Sequence, residues 1–241
     1  MNAFKTLFTT LLLVAPLAQA EETDRTPLAA TDHANHLVII GASYAGEWPI
    51  EQVGCLRVEN RGIGGQVSTE VEERFAEDAL SLKPKAVLIW GFINDFANNS
   101  RDMEDETRET AIRNIEAMAE AAHAAGVIPV LATEVTMGAP DSLIDGAVRW
   151  INELRGKRSY QRYISDNVMA VNRWIRDYAA QKGYPVLDIE GLMTNEAGNR
   201  KEGYFTEDLS HISAQAYRDL DAYAIAELKQ TLIEAGKLCP E

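Results

Sequence analysis

The chain has 241 residues, 46% of them hydrophobic, and a formal net charge of −14. That length supports one sizeable core and a single α/β domain after a short leader. The acidity excludes nucleic acid and anionic membranes as main partners, because both bind through basic patches.

The chain opens "MNAFKTLFTTLLLVAPLAQA". Lys5 forms a basic start, Leu7 to Ala18 a short apolar core, and Ala18-Gln19-Ala20 a small-residue cleavage site. The apolar run is shorter than the roughly 20 residues that span a bilayer. Residues 1–20 are therefore read as a cleaved signal peptide and residues 21–241 as one domain, exported to a bacterial periplasm or secreted. No cysteine at the cleavage site offers a lipid anchor.

A polar lead, "EETDRTPLAATDHANH", precedes the first buried strand, "LVIIG", from Leu37. "CLRVEN" reads as a short second strand. Val67, Val71, Phe75 and Leu80 recur near helical spacing, predicting a helix from Val67 to Leu82 that ends before Pro84. "KAVLIWG" is a continuous apolar run, hence a strand buried on both faces. "EDETRETAIRNIEAMAEAAHAAG" is a helix with acids in its first turn and Gly126 at its end. "VIPVLAT" is the next strand. From Met137, "MGAPDSLIDGAVRWINELRGKRSYQRYI" interrupts the rhythm and carries Trp150, Tyr160, Tyr163 and several cations. It reads either as a ligand-facing insertion near the strand ends or as a packed surface excursion. "SDNVMAVNRWIRDYAAQKG" is a helix ended by Gly183, "YPVLDIE" a strand, and "SAQAYRDLDAYAIAELKQTLIEAG" a final helix from Ser213 to Gly236. Strands alternating with helices imply a mostly parallel sheet covered on both faces.

Cys55 and Cys239 are the only cysteines. In an oxidising compartment they are expected to pair. The bridge would tie the tail to the first βα unit, contributing about 4–5 kcal/mol by restricting the unfolded chain; two free thiols are the alternative.

The turn "LVIIGASYAGEW" fits two chemistries. A dinucleotide fingerprint would fall on Gly41, Ser43 and Gly46, with Glu59 near the ribose-binding offset. The middle glycine, which lets backbone approach a pyrophosphate, is Ser43, and Pro49 leaves little room for the helix that follows. The other chemistry places a nucleophilic Ser43 at the carboxyl end of a buried strand, with turn capping as its plainer role. A serine nucleophile needs a base, a group that orients the base, and donors for an oxyanion. His33 and His36 lie in the polar lead, and no carboxylate or cysteine cluster completes their H-x-x-H spacing as a metal site. His123 sits near a helix end as a structural or solvated residue. His211, in "EDLSHIS", has Asp208 three residues before it, a spacing that brings carboxylate to imidazole in a tight turn; capping of the last helix is the alternative. "NRGIGGQVS" offers backbone N–H groups at Gly65, and "GFINDF" offers the Asn94 amide. These segments all follow strands or precede the last helix, and a parallel sheet gathers such positions at one edge.

Taken in order, "IIGASYA", "NRGIGG", "GFINDF" and "DLSHIS" resemble the four blocks of the SGNH hydrolases, also called GDSL-type esterases and lipases. The resemblance spans nearly all of residues 21–241. It implies a three-layer α/β/α sandwich with a five-stranded parallel sheet. It further implies hydrolysis of carboxylic esters or thioesters without metal or cofactor. On the matching positions, Ser43 is the nucleophile, Asp208 and His211 complete the triad, and Ser43, Gly65 and Asn94 form the oxyanion hole. Two positions depart from the pattern. Ala42 replaces the acid of G-D-S, which braces the nucleophile turn in the family, and Phe92 replaces the usual glycine of G-x-N-D, reshaping the acyl pocket or the local backbone. These departures motivate a second reading, a non-catalytic carbohydrate- or envelope-binding protein on the same fold. The expected substrate is a small-molecule or glycan ester bearing a short acyl or O-acetyl group.

Overall fold

The computed structural model describes residues 35–138 and 158–234. The expected signal peptide, Trp150 and Cys239 lie outside them.

A six-stranded sheet runs through the centre, in the order β2-β3-β1-β4-β5-β6. β1 (His36–Gly41) and β4 (Ala86–Trp90) lie side by side in its middle and are buried at every position. This is the outcome for continuous apolar runs without alternation, since helices cover both faces. β3 (Leu56–Gly62), β5 (Ile128–Ala132) and β6 (Val186–Leu187) complete a parallel set of five. The sixth strand, β2 (Gln52–Val53), pairs antiparallel with β3 across Gly54 and Cys55. It departs from the expected five strands because a two-residue strand leaves no periodicity to read.

Helices α2 (Ser68–Glu73), α5 (Glu104–Ala124) and α6 (Tyr160–Lys182) form one layer. On the other face, α8 (Ala214–Leu228) packs beside α1 (Ser43–Glu47) and α7 (Ile189–Met193). The expected three-layer sandwich is the fold. α5 keeps its acidic first turn, and the chain leaves it at Gly126. α8 starts on the Ser213 hydroxyl, which accepts from the Ala216 N–H at 3.2 Å. Among the described residues, no helix is long and apolar enough to cross a membrane.

Four expectations need correction. The single helix from Val67 to Leu82 is broken at Arg74 into α2, α3 (Phe75–Asp78) and a 3₁₀ turn (Leu80–Leu82). The break lets the Arg74 guanidinium reach back to carbonyls of β1 and β3. α6 begins before Ser165: the Ser159 hydroxyl caps it, accepting from the Arg162 N–H at 3.1 Å. Tyr160 to Ile164 therefore belong to a helix, and Tyr163 is buried beneath the Arg101 and Arg158 guanidinium groups. His36 is the first residue of β1 and fully buried, so the core begins one residue before the expected start at Leu37. The final helix widens its last described residues, Lys229–Glu234, into a π-type turn.

Candidate active site

The sheet register gathers the singled-out residues. Gly41, the last residue of β1, is paired with Gly62 of β3 on one side and Trp90 of β4 on the other. In parallel strands those partners lie at the same carboxyl edge. Ser43 follows Gly41 by two residues, Gly65 follows Gly62 by three, and Asn94 follows Trp90 by four. All three occupy one rim, where α/β sheets bind ligands.

Ser43 opens α1, half-buried at the strand's end. The turn before it is packed backbone against backbone: a Cβ on Gly41 would lie 1.6 Å from the Trp90 carbonyl oxygen. Only glycine fits there. Ala42 is buried and offers no side-chain cap to α1. Other groups brace the turn instead. The Gly41 carbonyl accepts from the Ile63 N–H at 3.0 Å and from Arg74 Nη2 at 3.0 Å. Asn60 Nδ2 donates to the Ala45 carbonyl at 2.6 Å. A guanidinium from the end of α2 and a carboxamide from the second block thus hold the turn where the usual carboxylate is missing.

The second and third blocks form one unit. Asn94 lies in the first turn of α4 (Ile93–Asn98), and its Nδ2 donates to the Gln66 carbonyl at 3.0 Å, next to Gly65. A carboxamide nitrogen carries two hydrogens, so one remains for a ligand. The neighbouring Asp95 is buried and accepts from the Ser68 N–H at 2.8 Å and the Ser68 hydroxyl at 2.5 Å. Burial pushes the Asp95 carboxyl above its ordinary range, with the two Ser68 bonds opposing. Gly65 is exposed at φ +81°, and Gly64 faces Ser43: a Cβ there would sit 4.0 Å from the Ser43 Cβ. A side chain at Gly65 would meet no atom but would adopt a left-handed backbone, unfavourable for any residue with a Cβ.

Phe92 turns into the core. Its ring is buried against Phe96, edge to face at 6.5 Å. The backbone absorbs the departure: Gly91 takes φ +151°, and the Phe92 N–H donates to Glu134 Oε2 at 3.2 Å. Glu134 is fully buried just beyond β5, and its Oε1 accepts from Trp90 Nε1 and the Val135 N–H, each at 3.1 Å. Burial pushes its carboxyl up, while the N–H donors and Arg200 oppose the shift.

Asp208 and His211 are in direct contact, Oδ2 to Nδ1 at 2.6 Å. The other carboxylate oxygen, Oδ1, accepts from the Ser210 N–H at 2.8 Å, the His211 N–H at 2.9 Å and the Thr206 hydroxyl at 2.8 Å. The hydrogen bond to His211, followed by these backbone donors, holds the Asp208 carboxyl well below the usual carboxylate range. An ionised carboxylate only accepts, so Nδ1 carries a proton, and in the neutral imidazole Nε2 is the nitrogen with the lone pair. Leu209, between them, is left-handed at φ +61°.

Among the described contacts, Ser43 and His211 are joined through their chain neighbours. The Tyr44 hydroxyl donates to the Ser210 carbonyl at 2.7 Å, and its ring meets the His211 ring edge-on at 6.2 Å. Tyr44 and Arg200, which shares these contacts, carry no signal in the sequence. Tyr44 reads as one more apolar residue after Ser43, and Arg200 lies in a polar loop. His36 and His123 take no part in these contacts. His123 packs against Tyr184 near the amino ends of β5 and β6, at the opposite edge of the sheet.

No curated protein matches the chain significantly in sequence. Solved structures share its fold. A GDSL-like lipase from Bacteroides thetaiotaomicron is 24% identical at a TM-score of 0.60, the match covering 84% of this chain and 89% of that one. The lipase/acylhydrolase from Enterococcus faecalis is 20% identical at a TM-score of 0.59, covering 86% and 98%. A variant of an acetyl-xylooligosaccharide esterase from a Geobacillus is 15% identical at a TM-score of 0.55, covering 82% and 96%. Residues 41–218, from the last residue of β1 into α8, match one family model, a stretch that contains Ser43, Gly65, Asn94, Asp208 and His211. The chain belongs to the GDSL-like lipase/acylhydrolase family.

Proposed function

We propose that the protein is an exported serine esterase that cleaves short-chain acyl or O-acetyl groups from small-molecule or glycan substrates. His211 Nε2 takes the proton of the Ser43 hydroxyl as Ser43 Oγ attacks the ester carbonyl. Asp208 fixes the imidazole tautomer and stabilises the imidazolium. The N–H groups of Ser43 and Gly65 and the second Asn94 Nδ2 hydrogen receive the oxyanion. Collapse expels the alcohol, which takes the proton from His211. Water, deprotonated by His211, then attacks the acyl-enzyme; the bond from the acyl carbon to Ser43 Oγ breaks, the acid leaves, and Ser43 Oγ takes the proton back from His211.

The observation that carries this reading is the Asp208–His211 pair. It is held by four hydrogen bonds to one carboxylate and docked through Tyr44 and Ser210 onto the Ser43 turn. A helix-capping role explains neither the His211 ring contact nor that docking. The short-acyl preference rests on openness: the His211 and Asp208 side chains are 42% and 51% exposed, suiting a dissolved ester. Export rests on residues 1–20, and a Cys55–Cys239 bridge is proposed for the compartment they lead to.

Ser43→Ala, assayed on p-nitrophenyl acetate, loses hydrolysis while its circular dichroism is unchanged. Retention of the wild-type rate would overturn the assignment. A panel of p-nitrophenyl esters from acetate to palmitate, with acetylated xylan beside it, sets the substrate: activity greatest on palmitate contradicts the short-acyl reading.

A further inference from the structure

Arg200 is a buried guanidinium, 2% exposed. Its partners are two carbonyls and a phenol. Nε donates to the Thr136 carbonyl at 2.8 Å, Nη1 to the Ser210 carbonyl at 2.6 Å, and Nη2 to the Tyr44 hydroxyl at 3.2 Å. The guanidinium carbon also sits 5.4 Å from the Tyr44 ring centroid. Desolvating this cation is unfavourable, and its planar fork is suited to holding several acceptors at once. Those acceptors come from three chain segments: the stretch after β5, the nucleophile turn and the Asp208–His211 loop.

Two of them flank the reacting groups. Tyr44 follows Ser43 and Ser210 precedes His211. The Ser210 carbonyl accepts from both Arg200 and Tyr44. It is aimed there by Leu209, whose left-handed backbone (φ +61°) is unfavourable for a branched side chain. A turn in that conformation persists when its surroundings hold it. Thr136 adds a fixed point, and the Gly138 N–H donates to the Leu209 carbonyl at 2.8 Å. Tyr44 is itself secured from α8, where the Tyr217 hydroxyl donates to the Tyr44 carbonyl at 2.9 Å.

We infer that Arg200 and Tyr44 are positioning residues that lock the Asp208–His211 loop against the Ser43 turn and so set the imidazole-to-hydroxyl distance. The inference rests on the serine-esterase reading. Neither side chain reaches the ester. Both act through the Ser210 carbonyl, so their removal lowers turnover and leaves substrate binding alone.

Tyr44→Phe removes one oxygen and keeps the buried ring. On p-nitrophenyl acetate its kcat falls about tenfold or more, since small misplacements of reacting groups are that damaging, while KM moves less than about twofold. Ser43 labelling by a small fluorophosphonate slows by the same factor. Arg200→Lys, whose ammonium cannot span three acceptors, shows the same split and decides the matter if Tyr44→Phe melts below the assay temperature. The double variant is no slower than the slower single, because both act on one carbonyl. A merely structural role lowers the melting temperature and leaves kcat of the folded fraction unchanged. That result, or losses that multiply in the double variant, overturns the inference. Failure of the wild type to label at Ser43 overturns the esterase reading instead, whatever the variants do.

Discussion

Asp208→Asn separates chemistry from scaffolding, because the two carboxylate oxygens have different duties. Among the described residues, Oδ1 accepts from three donors, the Ser210 and His211 N–H groups and the Thr206 hydroxyl, whereas Oδ2 meets His211 Nδ1 alone, at 2.6 Å. Asparagine keeps its oxygen where the three donors converge and places its NH₂ against Nδ1. Two donors cannot face each other there, so Nδ1 becomes the acceptor and the ring proton moves to Nε2. The imidazole then cannot accept from Ser43. Loss of the correct tautomer lowers kcat by roughly 10³–10⁴, as it does in serine proteases, equivalent to about 4–5.5 kcal/mol of barrier. With the loop's three bonds intact, the melting temperature stays within about 2 °C of wild type, the effect of less than about 1 kcal/mol in a domain this size. Steady-state hydrolysis of p-nitrophenyl acetate and a thermal melt measure both. A variant that keeps a tenth of the wild-type kcat would refute the reasoning, because Asp208 would then serve the loop alone.

Asn94→Ala removes one of the proposed oxyanion donors and is expected to lower kcat by roughly 10²–10³ with little change in KM; a loss confined to KM would assign Asn94 to ground-state binding. Glu134→Gln places an amide NH₂ against an N–H donor in either orientation, since both carboxylate oxygens accept from N–H groups. It is expected to destabilise by about 1–3 kcal/mol, read as a lower thermal midpoint. The Asp208 carboxyl is held below its unfolded range by His211 and backbone donors. Its contribution to stability is therefore complete above the ordinary carboxylate pKa of about 4 and lost as pH falls through the lower folded value. The gap in melting temperature between wild type and Asp208→Ala narrows below about pH 4, and a gap that widens there contradicts the assignment.

Much of this was legible in sequence because its signals are local. The uninterrupted apolar runs of β1 and β4 announce central parallel strands, and Asp208 lies three residues from its partner. The features that escaped depend on distance in space. Arg74 breaks a helix whose apolar spacing is sound, because its guanidinium is satisfied by carbonyls of two strands. His36 looks like the end of a polar lead until the sheet buries it. Ala42 reads as a missing brace, and the replacements, Asn60 and Arg74, come from the next βα unit. Phe92 reads as an intrusion, yet its ring turns into the core while Gly91 absorbs the backbone change. Tyr44 and Arg200 are 156 residues apart in the chain, and no spacing rule links them.

Peptide mapping by mass spectrometry after reaction with a fluorophosphonate tests the central claim most directly. The account predicts a single phosphonylated residue, Ser43, formed in step with loss of esterase activity and absent from Ser43→Ala. Inactivation with the adduct on another residue, or an active enzyme that never labels at Ser43, would contradict it.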